Sequence, residues 1–283
     1  MSKQYLKCKI IKTGVDHCMV KLGVNTVLFK TVSFAEAARL IKICGYDGLE
    51  ISAIQGMCEH LNLDNWKAQA GELRSIMEAN DLKFLSTEVA SHDFTRLQKA
   101  FEASATLGIP VVNVGPGGPS DDEEAFKRTV ETLQKLAEMA EPYGVTLCAK
   151  AHVGGAIYNT PTTLRAIREI TSPAFGIDMD PSHIYRGGEQ PEESIKQVIS
   201  SMKHIHIRDC TGRQPSPGHP FKQMCGSGEI DLFGYFKAVV DAKYDGPVCL
   251  EVIGPNLRIE ESTLVAAESY GYMNACLRIL GAR

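Results

Sequence analysis

The sequence lacks the features that mark several special classes of protein. It has no apolar run long enough to span a membrane, and it does not begin with a basic and then apolar leader. Its 30 basic and 34 acidic side chains are interspersed, so the formal net charge is only −4 and no basic stripe is present. We therefore expect a cytoplasmic protein that binds neither membranes nor nucleic acid.

Closely spaced cysteine pairs are lacking as well. The nine cysteines are scattered along the chain, their number is odd, and none of them forms a Cys-x-x-Cys motif. This pattern favours reduced thiols over a disulfide framework or a structural zinc site. The hydrophobic content of 44% and the charged content of 23% are ordinary for a globular protein.

The chain does contain a regular alternation of short apolar strands and amphipathic helices. Eight such units in 283 residues predict a single-domain α/β protein, a (β/α)8 TIM barrel with a parallel sheet inside a layer of helices. An open doubly wound sheet would more often stop at about five or six strands. The predicted strands cover residues 21–26, 48–52, 83–90, 111–115, 145–152, 175–180, 203–209 and 248–253.

The predicted helices follow these strands, and the first has clear end signals. Ser33 and Glu36 have the spacing of a capping box, and Gly45 is placed to end that helix. Residues 1–18 precede the alternation and form an N-terminal extension. This extension is a leading strand, a disordered arm or the result of a start position placed too far upstream. Residues 19–283 are then the catalytic barrel. The helices cover about residues 33–44, 66–80, 93–107, 121–141, 191–200, 232–242 and 262–280, and one more begins near residue 160.

Ionisable residues gather toward the ends of the predicted strands, where barrels of this type have their active sites. A single buried histidine or glutamate is usually a structural group, so Glu50 is also a candidate for bracing a loop, and His204 for a place in the core. A group of them on successive strands is harder to explain by packing. The candidates are Glu50, Glu88, Lys150, His152, Asp180, His183, His204, His206, Arg208 and Glu251.

Three of these residues form a set of metal-binding donors. Asp180, His206 and Glu251 come from three successive strands. Their oxygen and nitrogen atoms suit a divalent ion such as Mn²⁺, Mg²⁺, Co²⁺ or Zn²⁺. We therefore expect a divalent metal as a possible cofactor.

Several motifs resemble those of the xylose isomerase-like TIM-barrel family of sugar isomerases and epimerases, over about residues 21–280. Each motif is modest, but their order and spacing together are specific for this group. They are Gly45-Tyr-Asp-Gly-Leu-Glu50, Gly144-Val-Thr-Leu, Ala151-His152, Asp180-Pro-Ser-His183, His204-Ile-His-Ile-Arg-Asp209, Gly226-Ser-Gly-Glu-Ile-Asp231, Tyr244-Asp-Gly-Pro247 and Leu250-Glu251.

The resemblance implies roles for individual residues. In the family a divalent metal is bound by Glu, Asp, His and Glu from strands five to eight, and the last three match Asp180, His206 and Glu251. His183 matches a substrate-binding histidine. The remaining candidates for contact with the substrate are His152, Glu88, Glu50 and either Arg208 or Arg213.

The departure from the family is at strand five. The family motif is Glu-Pro-His, whereas this chain has Lys150-Ala151-His152, so a lysine stands in place of a metal-binding carboxylate. Three consequences are open. Lys150 pairs with a carboxylate and replaces the charge of the metal, or its pKa falls so that it acts as a neutral base or amine, or the metal stays on the remaining ligands.

The leading hypothesis is a sugar, sugar-phosphate or sugar-acid isomerase or epimerase that removes a proton next to a carbonyl and passes through an enediolate. Glu251 or Lys150 is then the catalytic base. The alternatives are a dehydratase or lyase acting on a keto-sugar or inosose, and a sugar-binding barrel that has lost catalysis. Phosphodiester cleavage would require more metal ligands than the chain offers. The long loop over residues 210–228 also suggests a homo-oligomer.

Overall fold

A computed structural model describes residues 20–283 and shows eight parallel strands closed into a barrel. Strand β1 pairs in parallel with both β2 and β8, so the sheet has no open edge between them. The predicted TIM barrel is therefore confirmed. The barrel strands are β1 (Lys21–Asn25), β2 (Gly48–Ile54), β3 (Lys83–Glu88), β4 (Val111–Val114), β5 (Thr146–Ala151), β6 (Phe175–Met179), β7 (Met202–Ile207) and β8 (Pro247–Leu250).

Helices connect the strands, as the right-handed packing of such folds requires. No helix of the described residues is long and apolar enough to cross a membrane. A two-residue strand, Cys58–Glu59, pairs antiparallel with the end of β2. The helices are α1 (Phe34–Cys44), α2 (Trp66–Ala79), α3 (Phe94–Leu107), α4 (Glu123–Ala140), α5 (Thr160–Glu169), α6 (Pro181–Arg186), α7 (Pro191–Val198), α8 (Leu232–Asp241) and α9 (Ile259–Ile279).

Local sequence signals fix several helix ends. Asp93 and Asp122 accept hydrogen bonds from the backbone N–H groups of Arg96 and Ala125, which caps α3 and α4. Ser33 caps α1 in the same way, and Gly45 ends α1 in the left-handed region at φ 101°. Only the serine half of the predicted capping box forms, because the Glu36 carboxylate pairs with Arg39 instead.

Strand register sets the position of the polar residues inside the barrel. Residues that face each other on neighbouring parallel strands lie at one level, and Asn25 is paired with Glu50, as Glu88 is with Asn113. Lys150 is likewise level with Asp178. Apolar residues fill the space between the strands and the helices. A ring of polar side chains is thus fixed near the C-terminal ends of the strands.

One helix was not predicted from the sequence, and one sequence prediction lies outside the described residues. Residues 181–186 form the short helix α6, which was not predicted from the sequence. This helix forms because Asp180 caps it by accepting a hydrogen bond from the N–H of Ser182. The predicted extension over residues 1–18 lies outside the described residues. The cysteines within residues 20–283 are all free, as expected: Cys44, Cys58, Cys148, Cys210, Cys225, Cys249 and Cys276.

Candidate active site

A pocket of about 460 Å³ opens at the C-terminal ends of the barrel strands. Its volume suits a molecule the size of one sugar. Glycine-rich segments at 115–118 and 154–155 form part of its wall, together with Ile54, Met57 and Ile253. The charged and polar side chains that line it are Glu88, Lys150, His152, His183, Arg208 and Glu251.

Lys150 extends from β5 and contacts the carboxyl groups of two glutamates. Its Nζ lies 3.1 Å from Glu88 Oε1 and 2.8 Å from Glu251 Oε1. Only 6% of the Lys150 side chain is exposed. Burial alone would lower the pKa of Lys150, but the carboxylates of Glu251 and Glu88 outweigh it and raise this pKa above its ordinary value. The side chain is therefore an ammonium ion.

The two glutamates that contact Lys150 differ in pKa. Burial and the nearby charge of Glu251 raise the pKa of Glu88 to about 8. Burial acts in the same direction on Glu251, but Lys150 and His206 outweigh it and hold the pKa of Glu251 well below its ordinary value. At neutral pH one carboxyl group therefore carries a proton and the other is ionised, as in a general acid–base pair.

Arg208 is the second cation of the pocket. Its Nη2 lies 2.7 Å from Asp180 Oδ2 and 3.3 Å from Glu251 Oε2. Its Nε donates to Ser182 Oγ at 2.9 Å. The Nη1 atom is buried and has no hydrogen-bond partner within residues 20–283. Nη1 is therefore an unused donor in a side chain that lines the pocket.

His206 lies between two carboxylates and does not line the pocket. Its Nδ1 is 2.5 Å from Asp178 Oδ2, and its Nε2 is 2.5 Å from Glu50 Oε2. Burial alone would lower the pKa of His206, but Asp178 and Glu50 raise it well above its ordinary value. Both ring nitrogens therefore donate hydrogen bonds.

Asn25 connects the surroundings of His206 to those of Lys150. Its Nδ2 donates to Glu50 Oε2 at 2.8 Å and to Glu88 Oε2 at 2.7 Å. Asn113 Nδ2 donates to the other oxygen of Glu50 at 2.6 Å. The buried charges of the site thus form one hydrogen-bonded network across the barrel.

Within residues 20–283, two groups of buried side chains have donor atoms close enough to hold a divalent ion. In each group the donor atoms all lie within 4.8 Å of one another. Carboxylate and imidazole donors suit the ions that the sequence suggested. The groups are Glu88 with His206 and Glu251, and Glu50 with His204 and His206.

A metal ion fits the Glu88–His206–Glu251 group poorly. The ammonium of Lys150 already contacts both carboxylates of the Glu88–His206–Glu251 group. Asp180, which the sequence prediction included among the ligands, belongs to neither group, and its Oδ2 faces Arg208. The Asp180–His206–Glu251 ligand set therefore stays a prediction.

Of the residues proposed from the sequence, the structure brings six to the pocket surface and leaves five away from it, among them His204, which is buried in the core. Asp180, His206 and Glu50 are fully buried and do not line the pocket. Arg213 is exposed, stacks on the Tyr185 ring at 4.1 Å and does not line the pocket either.

Sequence reasoning missed several members of the network. Asn25, Asn113 and Asp178 hold the charged residues in place, although none of them was singled out. A signal was present, because each is a polar residue that directly follows an apolar residue within a short strand. Arg186 was also missed, and its Nη2 lies 2.8 Å from His183 Nδ1.

Known proteins share this sequence pattern and this fold. An inosose dehydratase of Clostridium perfringens (strain 13 / Type A) is 24% identical over 276 residues, with 82% of this chain and 89% of the relative covered. A crystal structure of a D-tagatose 3-epimerase-like protein has a TM-score of 0.74 at 20% identity and covers 93% of this chain and 98% of that one. A structure of the IolI protein with a zinc atom has a TM-score of 0.73 at 21% identity, covering 91% and 96%.

A family profile also matches most of the chain. The profile of the xylose isomerase-like TIM barrel family matches residues 36–276, which include every candidate active-site residue. The chain therefore belongs to the xylose isomerase-like TIM barrel family.

Proposed function

We propose that the protein is an enzyme that moves a proton on the carbon next to a carbonyl group of a sugar, sugar phosphate or sugar acid. Isomerisation or epimerisation is the expected outcome. The observation that carries this proposal is the contact of one ammonium, Lys150, with two carboxyl groups of different pKa, Glu88 and Glu251, on the wall of a sugar-sized pocket.

Each charged group has a part in the proposed reaction. The ionised Glu251 removes the proton, and the electron pair of the C–H bond moves toward the carbonyl oxygen to give an enediolate. The negative charge on that oxygen is stabilised by the Lys150 ammonium and by Arg208 Nη1. Glu88, in its acid form, then returns a proton. In epimerisation the proton goes to the opposite face of the same carbon. In isomerisation it goes to the former carbonyl carbon, and the proton of the adjacent hydroxyl group moves to the former carbonyl oxygen.

Two neutral histidines lie together on the pocket wall, and one of them is suited to hold a substrate hydroxyl group. The rings of His152 and His183 lie 3.8 Å apart on the pocket wall. Burial, together with the charge of Arg208, lowers the pKa of His183 well below its ordinary value, and burial also lowers that of His152. His152 Nδ1 contacts the carbonyl oxygen of Val153, which leaves Nε2 for a substrate hydroxyl group, whereas both ring nitrogens of His183 face arginine side chains.

Dehydration of a keto-polyol is the second candidate. An acid such as Glu88 can protonate a leaving hydroxyl group as readily as a carbon. The relative with the inosose dehydratase name favours this outcome, since the match covers 82% of this chain. Both candidates begin with the same proton removal and differ only in the fate of the enediolate.

Proton exchange in D2O separates the candidates. Purified protein is incubated with a panel of ketoses, sugar acids and keto-inositols, and the loss of C–H signals is followed by ¹H NMR. Isomerisation gives a deuterated isomeric sugar, whereas dehydration gives an unsaturated product that absorbs in the ultraviolet. Glu251→Gln should abolish exchange, whereas Glu131→Gln, at an exposed position of α4, should not.

Exchange that persists in Glu251→Gln would contradict the role of Glu251 as the base. Binding of a sugar by the wild-type protein, without exchange in any compound of the panel, would contradict the enzyme proposal. That result would favour a sugar-binding barrel without catalysis.

A further inference from the structure

The carboxylates around the pocket already have cationic partners that belong to the chain. Lys150 Nζ contacts Glu88 Oε1 and Glu251 Oε1, and Arg208 Nη2 contacts Asp180 Oδ2 at 2.7 Å. All of these side chains are at least nine-tenths buried. A divalent ion that bound these oxygens would have to displace a buried cation.

The imidazole of His206, which is grouped with Glu88 and Glu251, is also occupied. Both ring nitrogens of His206 contact carboxylate oxygens, Nδ1 that of Asp178 and Nε2 that of Glu50. A carboxylate oxygen accepts hydrogen bonds and does not donate them, so each ring nitrogen points its hydrogen at its partner. No lone pair of His206 is then free for a metal.

We propose that Lys150 is a built-in cation that takes the place of a divalent metal, so that the pocket works without a metal ion. A cation bound to Glu88 and Glu251 would lie within a few ångströms of the ammonium, and burial removes the water that would screen their repulsion. Two carboxyl groups hold the Lys150 side chain, which fixes its Nζ on the pocket wall.

The catalytic part of this inference rests on the proposed function. The Lys150 ammonium then stabilises the enediolate oxygen electrostatically, and unlike a metal ion it is covalently part of the chain. The metal-free part is independent of that reaction, because it depends only on which cation the carboxylates bind.

Metal content and metal binding test the metal-free part directly. Wild-type protein, purified without chelator, should contain far less than one equivalent of any transition metal by elemental analysis. Added MnCl2 should not raise its melting temperature. Lys150→Glu restores a carboxylate at this position, and this variant should gain both a bound metal and a stabilising shift with MnCl2. Nearly one equivalent of metal in the wild type, or a Lys150→Glu variant that folds but binds no metal, would overturn the inference.

Proton exchange tests the catalytic part. Lys150→Met keeps a side chain of similar length without the charge, and exchange should fall about 100-fold or more. The matched control is Lys196→Met, at an exposed lysine of α7 that pairs with Glu193. This variant should catalyse proton exchange at the wild-type rate. Wild-type exchange should also survive dialysis against a chelator. If chelation abolished exchange and Mn²⁺ restored it, the inference would be overturned but the proposed function would stand. If Lys150→Met folded and exchanged at a near-normal rate, the role of the ammonium would be overturned.

If Lys150→Glu does not fold, the wild-type metal content and the effect of the chelator still decide the question. Absence of exchange in the wild type together with absence of metal would count against the proposed function and leave the metal-free part supported.

Discussion

His183 Nε2 lies 2.8 Å from the Nη2 atom of Arg208, and the other ring nitrogen faces a second arginine, Arg186. The histidine is 2% exposed and lies on the wall of the pocket. Two guanidinium groups beside a buried ring oppose its protonation, which agrees with the lowered pKa of His183.

The free energy of unfolding should therefore depend on pH through His183. Below about pH 6.5 the unfolded chain protonates this histidine but the folded protein does not, so the folded state loses stability as the pH falls. The contribution of one such proton is at most about 1.4 kcal/mol per pH unit. Urea unfolding between pH 7 and pH 5 should show a shallower loss in His183→Asn than in wild type. The exposed His219→Asn variant should match wild type, and equal slopes in all three proteins would contradict a neutral His183.

Replacing Glu88 with glutamine should remove the acid of the proposed pair. We expect kcat to fall about 100-fold or more, with a smaller change in KM, because general acid–base catalysis contributes about 10²–10⁴-fold. In wild type, kcat should decline as the pH rises through about 8, since Glu88 then loses its proton. This decline should be absent from the residual activity of Glu88→Gln. A variant that keeps the wild-type profile would show that another group is the acid.

Asn25→Asp should destabilise the protein strongly. The Asn25 amide donates to both Glu50 and Glu88, and an aspartate would replace this donor by a third buried carboxyl group. We expect a loss of about 3 kcal/mol or more in the free energy of unfolding, measured by urea titration. Asn62→Asp is a control on a surface turn, where Asn62 Oδ1 accepts from the N–H groups of Asp64 and Asn65. Equal losses in the two variants would contradict a special role for Asn25.

Asp209 should control the order of the long loop after β7. Its carboxylate accepts hydrogen bonds from the N–H groups of Cys210, Gly226, Gly228 and Ile230, at 2.9 to 3.2 Å.

Asp209→Asn replaces one acceptor oxygen by a donor, so at least one N–H loses its partner, at a cost of about 1–3 kcal/mol. Hydrogen exchange should increase within residues 210–230 and stay unchanged in α3. Unchanged exchange in the loop would contradict this role. Asp241→Asn, at an exposed residue paired with Lys237, is the control.

The sequence predicted the eight strands closely, because each is a short apolar run that ends in turn residues. It also placed Glu88, Lys150, His152, His183, Arg208 and Glu251 at the strand ends where the pocket lies. It could not show which partner each charge takes, since Glu88, Lys150 and Glu251 lie far apart in the chain and meet only through barrel closure. The partner of Asp180 was equally hidden, because the choice between Arg208 and a metal depends on side-chain direction. The expected homo-oligomer stays a prediction.

Lys150 also has a consequence for how such a site can change in evolution. A glutamate at this position would replace one positive charge by one negative charge, next to the two carboxyl groups that Lys150 now contacts. The difference is two elementary charges, which equals the charge of a single Mn²⁺ or Zn²⁺ ion. A change of one codon therefore separates a barrel that needs a bound metal ion from one whose own side chain supplies the equivalent charge. A lineage that made this change would depend on a single residue instead of on the supply of metal.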